Sequence, residues 1–164
     1  MKILVSAASR HGSTTEIAQA IGEALTSAGF EADVRKPEDV ATVAPYDGVI
    51  IGSGVYAGRW LGPATALIER EATALSSRPV WLFSSGPLGD DTKPTHDPKQ
   101  VAEMVGKTHA VEHRRFAGKV DRRQLGLAER TIFAVVRAPD GDFRQWAAIR
   151  DWASEIAVAV RAKM

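Results

Sequence analysis

The chain has 164 residues, 45% hydrophobic and 25% charged, with a formal net charge of +1 and no cysteine. That size and usage fit one globular domain with a substantial core. Disulfides, thiolate metal sites and a cysteine nucleophile are excluded, and no apolar run approaches the roughly 20 residues of a membrane-spanning helix. So small a net charge says little about partners; no nucleic-acid partner is expected. Met1-Lys2 leads straight into "ILVSA" with no apolar leader, so a cytoplasmic location is expected.

"KILVSA" (2–7) is short and nearly all apolar, as a strand buried on both faces of a parallel sheet is. Ile17, Ile21, Ala24, Leu25 and Ala28 recur at helical spacing and predict a helix from about Thr14 to Ala28, stopped by Gly29. "FEADVRK" (30–36) alternates like an edge strand. "YDGVIIGSG" (46–54) holds a second buried strand, Val49 to Gly52, and enters a Gly-rich loop. Ala66, Leu67, Ala72 and Leu75 predict a helix from Pro63, which sits in its first turn. "PVWLFSSG" (79–86) is a third buried strand, followed by the long loop "GPLGDDTKPTH".

Asp97-Pro98 opens a further helix with Val101, Met104 and Val105 on one face. "HAVEHRRFAG" (109–118) reads as a strand with a more polar face. Asp121 is the expected cap of a helix carrying Leu125, Ala128, Ile132, Val135 and Val136. "APDGD" (138–142) is a turn, and Phe143, Trp146, Ile149, Trp152, Ile156 and Val160 stripe a final helix. Strands and helices alternate throughout, which predicts right-handed βαβ units. The expectation is a single α/β domain over 1–164: a five-stranded parallel sheet with helices on both faces.

Ligands of such sheets bind beyond the carboxyl ends of the strands. Three loops are expected there, 7–14, 53–62 and 84–97, all rich in Gly, Ser or Thr. In the first, Gly12 permits a tight turn, the hydroxyls of Ser9, Ser13 and Thr14 can donate to phosphate oxygens, and Arg10 adds a charged donor. His11 either joins them or faces solvent. Ser13-Thr-Thr-Glu16 is also a capping box, which would explain two of these residues by helix initiation alone. In the second loop Ser53, Gly54, Val55 and Gly58 offer backbone to a flat ring edge, with Tyr56 and Trp60 to stack on its face. Trp60 has the alternative of packing on the helix that follows. In the third, Ser84, Ser85, Gly86, Pro87, Leu88 and Gly89 offer a turn to read the polar edge of a heterocycle.

A Walker A loop, a G-x-G-x-x-G turn, the carboxylates of a phospho-acceptor site and a G-x-S-x-G elbow are all missing, so a terminal monophosphate suits the first loop best. Across nearly the whole chain, "SAASRHGSTTEIA", "YDGVIIGSGVYAGRW" and the element order resemble the flavodoxin superfamily. Ser9-Arg10-His11-Gly12-Ser13-Thr14 is similar to the Ser/Thr-Arg-x-Gly-x-Thr loop of its short-chain members of the menaquinone-dependent protoporphyrinogen oxidase type. The resemblance implies a flavodoxin-like three-layer sandwich with strand order 2-1-3-4-5. It also implies noncovalent FMN, its phosphate on Ser9, Arg10, Gly12, Ser13 and Thr14 and its ring between the 53–60 and 84–89 loops, serving electron transfer or an FMN-dependent oxidoreductase.

Departures from that family are informative. Its electron carriers are acidic, whereas this chain has a pI of about 8.1, and 84–89 contains no aromatic residue. Both point from a simple shuttle towards an open ring face that admits a substrate or quinone. "HRRFAGKVDRR" (113–123) is either a solvated edge or a landing patch for an acidic partner, an anionic cofactor tail or a peripheral membrane contact. His109 and His113 have zinc-like spacing only on a helix; on a strand they stand about 13 Å apart, so no metal is expected. A deazaflavin in place of FMN, and a partner-binding scaffold without redox chemistry, are the other readings.

Overall fold

The computed structural model describes residues 1–86, 98–135 and 141–163. In chain order these form β1 (Lys2–Ala8), α1 (Ser13–Ser27), β2 (Glu31–Arg35), a 3-10 turn (Pro37–Asp39), β3 (Gly48–Tyr56), β4 (Arg59–Trp60), α2 (Gly62–Ser76) and β5 (Val80–Gly86). Then come α3 (Pro98–Thr108), β6 (Glu112–Ala117), β7 (Lys119–Val120), a 3-10 turn (Arg122–Gln124), α4 (Leu127–Val135), β8 (Gly141–Asp142) and α5 (Trp146–Ala162). The main sheet runs β2-β1-β3-β5-β6, all parallel, with β4 paired antiparallel to β3. Leaving out two-residue β4, this is the 2-1-3-4-5 order expected. β7 and β8 pair as a separate ribbon.

The central strands read as apolar runs because both their faces are covered. On one face Ile3 and Val5 pack with Ile17, Ile21 and Leu25 of α1 and with Trp152, Ile156 and Val160 of α5. On the other, Leu4, Ile51 and Leu82 pack with Leu67, Ile68 and Leu75 of α2 and Met104 of α3. Leu67 is fully buried, so truncation to alanine costs about 2–5 kcal/mol. Phe83, Phe116 and Trp152 meet edge to face at 5.5–6.0 Å, which requires glycine at position 52, where a Cβ would enter the Phe83 ring.

α1 ends as expected at Gly29, whose φ of +89° suits glycine. Its N–H bonds Thr26 O at 2.9 Å and that of Phe30 bonds Leu25 O at 3.1 Å, which satisfies two of the last carbonyls. Three expectations need correction. The helix expected from Asp121 starts at Leu127, because Asp121 Oδ1 accepts from the backbone N–H of Arg123 at 3.0 Å and closes one 3-10 turn instead. Leu125 is therefore buried with Val120 outside any α-helix, while Leu127 is exposed; Val136 lies outside the described residues. The strand expected from 109 starts at Glu112, since His109 takes a left-handed φ of +51° behind α3. Phe143 precedes α5 and lies against Gly141.

Candidate functional site

The loop after β1, the hairpin after β3 and the end of β5 meet at the carboxyl edge of the sheet, as parallel pairing requires. The first loop turns on Gly12, which caps α1 in the left-handed conformation (φ +88°) and brings no side chain to the helix end. The capping box does not form. Glu16 N–H bonds the Gly12 carbonyl at 3.0 Å, and the Glu16 carboxylate pairs with Arg144. Ser9 Oγ accepts from the N–H of Gly12 at 3.0 Å and of Thr14 at 3.2 Å, folding the loop onto itself. Ser13 Oγ is left buried with no hydrogen-bond partner, and Ser13 lines a cavity. An orphaned hydroxyl at a helix amino terminus is a seat for an anion.

That cavity encloses about 120 Å³, enough for one end of a ligand against the roughly 300–1,000 Å³ of a complete small-molecule pocket. The first loop contributes Ser9, Arg10, His11, Ser13 and Thr14, the second Gly54, Val55 and Tyr56, and β5 contributes Ser85 and Gly86. Gly54 makes room for Thr14: a Cβ there would lie 3.2 Å from Thr14 Oγ1. A fourth wall is Gly118–Asp121, from the basic stretch offered above as a landing patch, with Gln124 and Leu125, which sequence reasoning did not place there. At Gly118 a Cβ would run into the Gly86 carbonyl oxygen.

Charge at the mouth is set from α4. Glu129 Oε1 accepts from Arg10 Nη1 at 2.5 Å, and its Oε2 stands 2.9 Å from His11 Nε2. Arg10 lies over the Tyr56 ring, 4.4 Å from its centroid. The Arg10 bond is the first cause holding the Glu129 carboxyl below its ordinary 4.5. Tyr56 is pushed up to about 12, first by burial and then by the Glu129 charge, so it enters the site as a neutral phenol. Beside the first turn of α1 stands Arg144, its side chain only 5% exposed, paired with Glu16, bonded to Asp142 at 2.7 Å and lying 4.6 Å from the Trp146 ring centroid. Nothing local in the sequence ties Glu129 to Arg10 and His11, or Arg144 to Glu16, pairs more than 110 residues apart.

Other residues named from sequence stand behind the cavity. Ser53 is fully buried; its Oγ accepts from Leu61 N–H at 2.9 Å and donates to the Gly54 carbonyl at 2.8 Å. Trp60 lies in the core, 5% exposed, not on a ring-stacking surface. Ser84 is buried with Trp60 and His113 on its hydroxyl. Gly58 (φ +78°) follows Ala57 (φ +49°) in the two-residue turn between paired Tyr56 and Arg59, a turn needing positive φ at both positions. Pro87, Leu88 and Gly89 lie outside the described residues.

The basic stretch 113–123 divides. Arg114 pairs with Glu112 and Glu155 on one side, Arg123 pairs with Asp121, and Lys119 lines the cavity. Among the described residues no group of three metal-ligating side chains occurs, and no helix is long and apolar enough to cross a membrane.

A family model, the flavodoxin domain, matches residues 4–145. The protoporphyrinogen IX dehydrogenase (quinone) of Escherichia coli strain K12 is 30% identical over 86 residues, 51% of this chain and 48% of that protein. The match thus spans about half the length of that curated relative. A solved flavodoxin from the domain Archaea has a TM-score of 0.66 at 18% identity, covering 98% of this chain and 99% of its own. The Flv1 flavodiiron core from Synechocystis sp. PCC6803 scores 0.69 at 14% identity over 100% of this chain and 37% of its own.

Proposed function

The chain belongs to the flavodoxin domain family, and on that premise we propose that it binds FMN noncovalently and works as a redox protein. The observation that carries the reading is the Ser13 hydroxyl, buried and unpartnered in a residue that lines the cavity. A phosphate monoester supplies the acceptor it lacks, and the α1 dipole favours the charge. Ser9 holds the loop in shape through Gly12 and Thr14. Arg10 adds positive charge, and His11 a ring nitrogen within reach, once they exchange Glu129 for the phosphate.

The ring belongs across the mouth, where Gly54, Val55, Tyr56, Ser85 and Gly86 present backbone and a neutral phenol. When bound, FMN supplies one- or two-electron transfer, and the protein tunes it by hydrogen bonds and local charge. The residues here exclude water from one ring edge and keep net charge off Tyr56. Among reactions, we put forward protoporphyrinogen oxidation with a quinone acceptor, motivated by the Escherichia coli relative, in the cytoplasm or peripherally at a membrane.

Flavin released by denaturing the purified protein and identified by mass tests the first step, with a deazaflavin as competitor. Stopped-flow oxidation of the reduced protein by menaquinone, and turnover of protoporphyrinogen, test the second. Protein that is colourless and takes up no added FMN refutes the reading and leaves the partner-binding scaffold.

A further inference from the structure

His113, set aside above as a metal ligand, belongs to a buried polar chain that the proposed site does not use. Trp60 Nε1–H donates to Ser84 Oγ at 2.7 Å, and Ser84 Oγ stands 2.8 Å from His113 Nε2. Trp60 is 5% and Ser84 1% exposed. The indole can only donate, so Ser84 accepts from it; towards His113 the hydroxyl donates or accepts according to the imidazole tautomer. Three strands are thereby joined on one face of the sheet: β4, β5 and β6.

β4 is the return arm of the hairpin whose outgoing arm, Val55 and Tyr56, lines the cavity. The base of that hairpin is tied elsewhere. Leu61 N–H bonds Ser53 Oγ at 2.9 Å, and Trp60 N–H bonds Gln100 Oε1 at 3.0 Å. Both ties hold backbone. The indole tie holds a side chain: it reaches from the hairpin through Ser84 to β6 and orients the Trp60 ring, whose backbone pairs with Val55. The turn itself is costly to hold, because Ala57 takes a positive φ that an L side chain resists.

We propose that Trp60, Ser84 and His113 are positioning residues, a relay that fixes the hairpin against the flavin ring and so sets the flavin's reduction potential. The proposal rests on the FMN reading, and its test separates the two. First, amide hydrogen exchange is followed over Val55–Arg59 in the flavin-free protein. Ser84→Ala strands the buried indole N–H of Trp60 and cuts its link to His113, and the hairpin amides should exchange about tenfold faster than in wild type. Trp60→Phe and His113→Leu should each do part of this, and the double variant less than the sum, because the bonds share one hydroxyl. His113→Gln, which restores a polar atom at that reach, should recover wild-type exchange.

Second, the potential of the FMN-loaded variants is measured by titration. Ser84→Ala and His113→Leu should shift it in the same direction, with His113→Gln back at wild type. Unchanged hairpin exchange overturns the relay. So does faster exchange with an unchanged potential, or a His113→Gln variant no better than His113→Leu. Should Ser84→Ala not fold, the two His113 variants alone decide it on a half-buried strand position. Wild-type protein that takes up no FMN sinks the proposed function, and the exchange measurement then still decides whether the relay holds the hairpin.

Discussion

Replacing Ser13 by alanine should separate two quantities that usually move together. In the flavin-free chain Ser13 Oγ is buried without a partner, a state that costs about 1–3 kcal/mol. Alanine removes the stranded oxygen and leaves only a small void, so free-protein stability should hold or rise by about 1 kcal/mol, which is about 2–4 °C in Tm for a domain of this size. On the proposed reading the same hydroxyl would donate to a phosphate oxygen of bound FMN, a charge-assisted bond contributing about 1.5–3 kcal/mol. Ser13→Ala should therefore weaken FMN by about 10- to 150-fold. Quenching of FMN fluorescence on titration gives the affinity, and thermal unfolding followed by circular dichroism gives the stability. An affinity within about twofold of wild type, or a variant clearly less stable than wild type without flavin, would refute the assignment of Ser13 to the phosphate.

Glu129→Gln removes the carboxylate that occupies Arg10 and His11; for half-exposed ion pairs this should tighten FMN by about fivefold at low salt and less at high salt, read by the same titration. The Glu129 carboxyl is held below its ordinary 4.5, so its contribution to α4 docking is present above that pH and lost as pH falls through the folded value; the protection of α4 amides, corrected for their intrinsic exchange rates, should fall on acidification in wild type and less so in Glu129→Gln. The chain's two tyrosines, Tyr46 and Tyr56, are both raised, each first by burial, Tyr56 to about 12. Ultraviolet titration of the folded protein should show no full phenolate step at pH 10, and the tyrosine contribution to stability, complete below pH 10, should fall away as pH rises towards 12. Gly118→Ala should cost at least about 1–3 kcal/mol in chemical denaturation, because its Cβ has no room beside the Gly86 carbonyl; a stability equal to wild type would contradict the close approach of β5 and the β6–β7 junction.

Much of the fold was legible because its signals are local. β1, β3 and β5 are covered on both faces, so their runs of Ile, Leu, Val and Phe stand out without neighbours. Gly29 ends α1 by its own left-handed backbone. Where two local signals compete, the pattern misleads: Asp121 was as fit to cap a helix as to fold over Arg123, and the second won. The Ser13–Glu16 capping box failed because Gly12, one residue earlier, takes the cap position, and Arg144, 128 residues away, pairs with the glutamate. Trp60 was legible both as a stacking aromatic and as packing on the helix that follows; the second holds, and the choice was set by Ser84 and Gln100 from other elements. The hydroxyl cradle could be read from the sequence; the carboxylate that guards it could not, for Glu129 meets Arg10 and His11 only after the chain has crossed the sheet.

The cradle is encoded near the start of the chain, yet its scaffold is made last. The apolar side of α1 is sealed by α5, and its first turn is pinned through Glu16 to a guanidinium at position 144. A nascent chain leaving the ribosome thus carries its anion loop for more than a hundred residues before the partner that steadies it exists. Cofactor capture is then a late event in biogenesis, and a ribosome stalled before α5 should present Ile17, Ile21 and Leu25 to chaperones rather than a site to flavin.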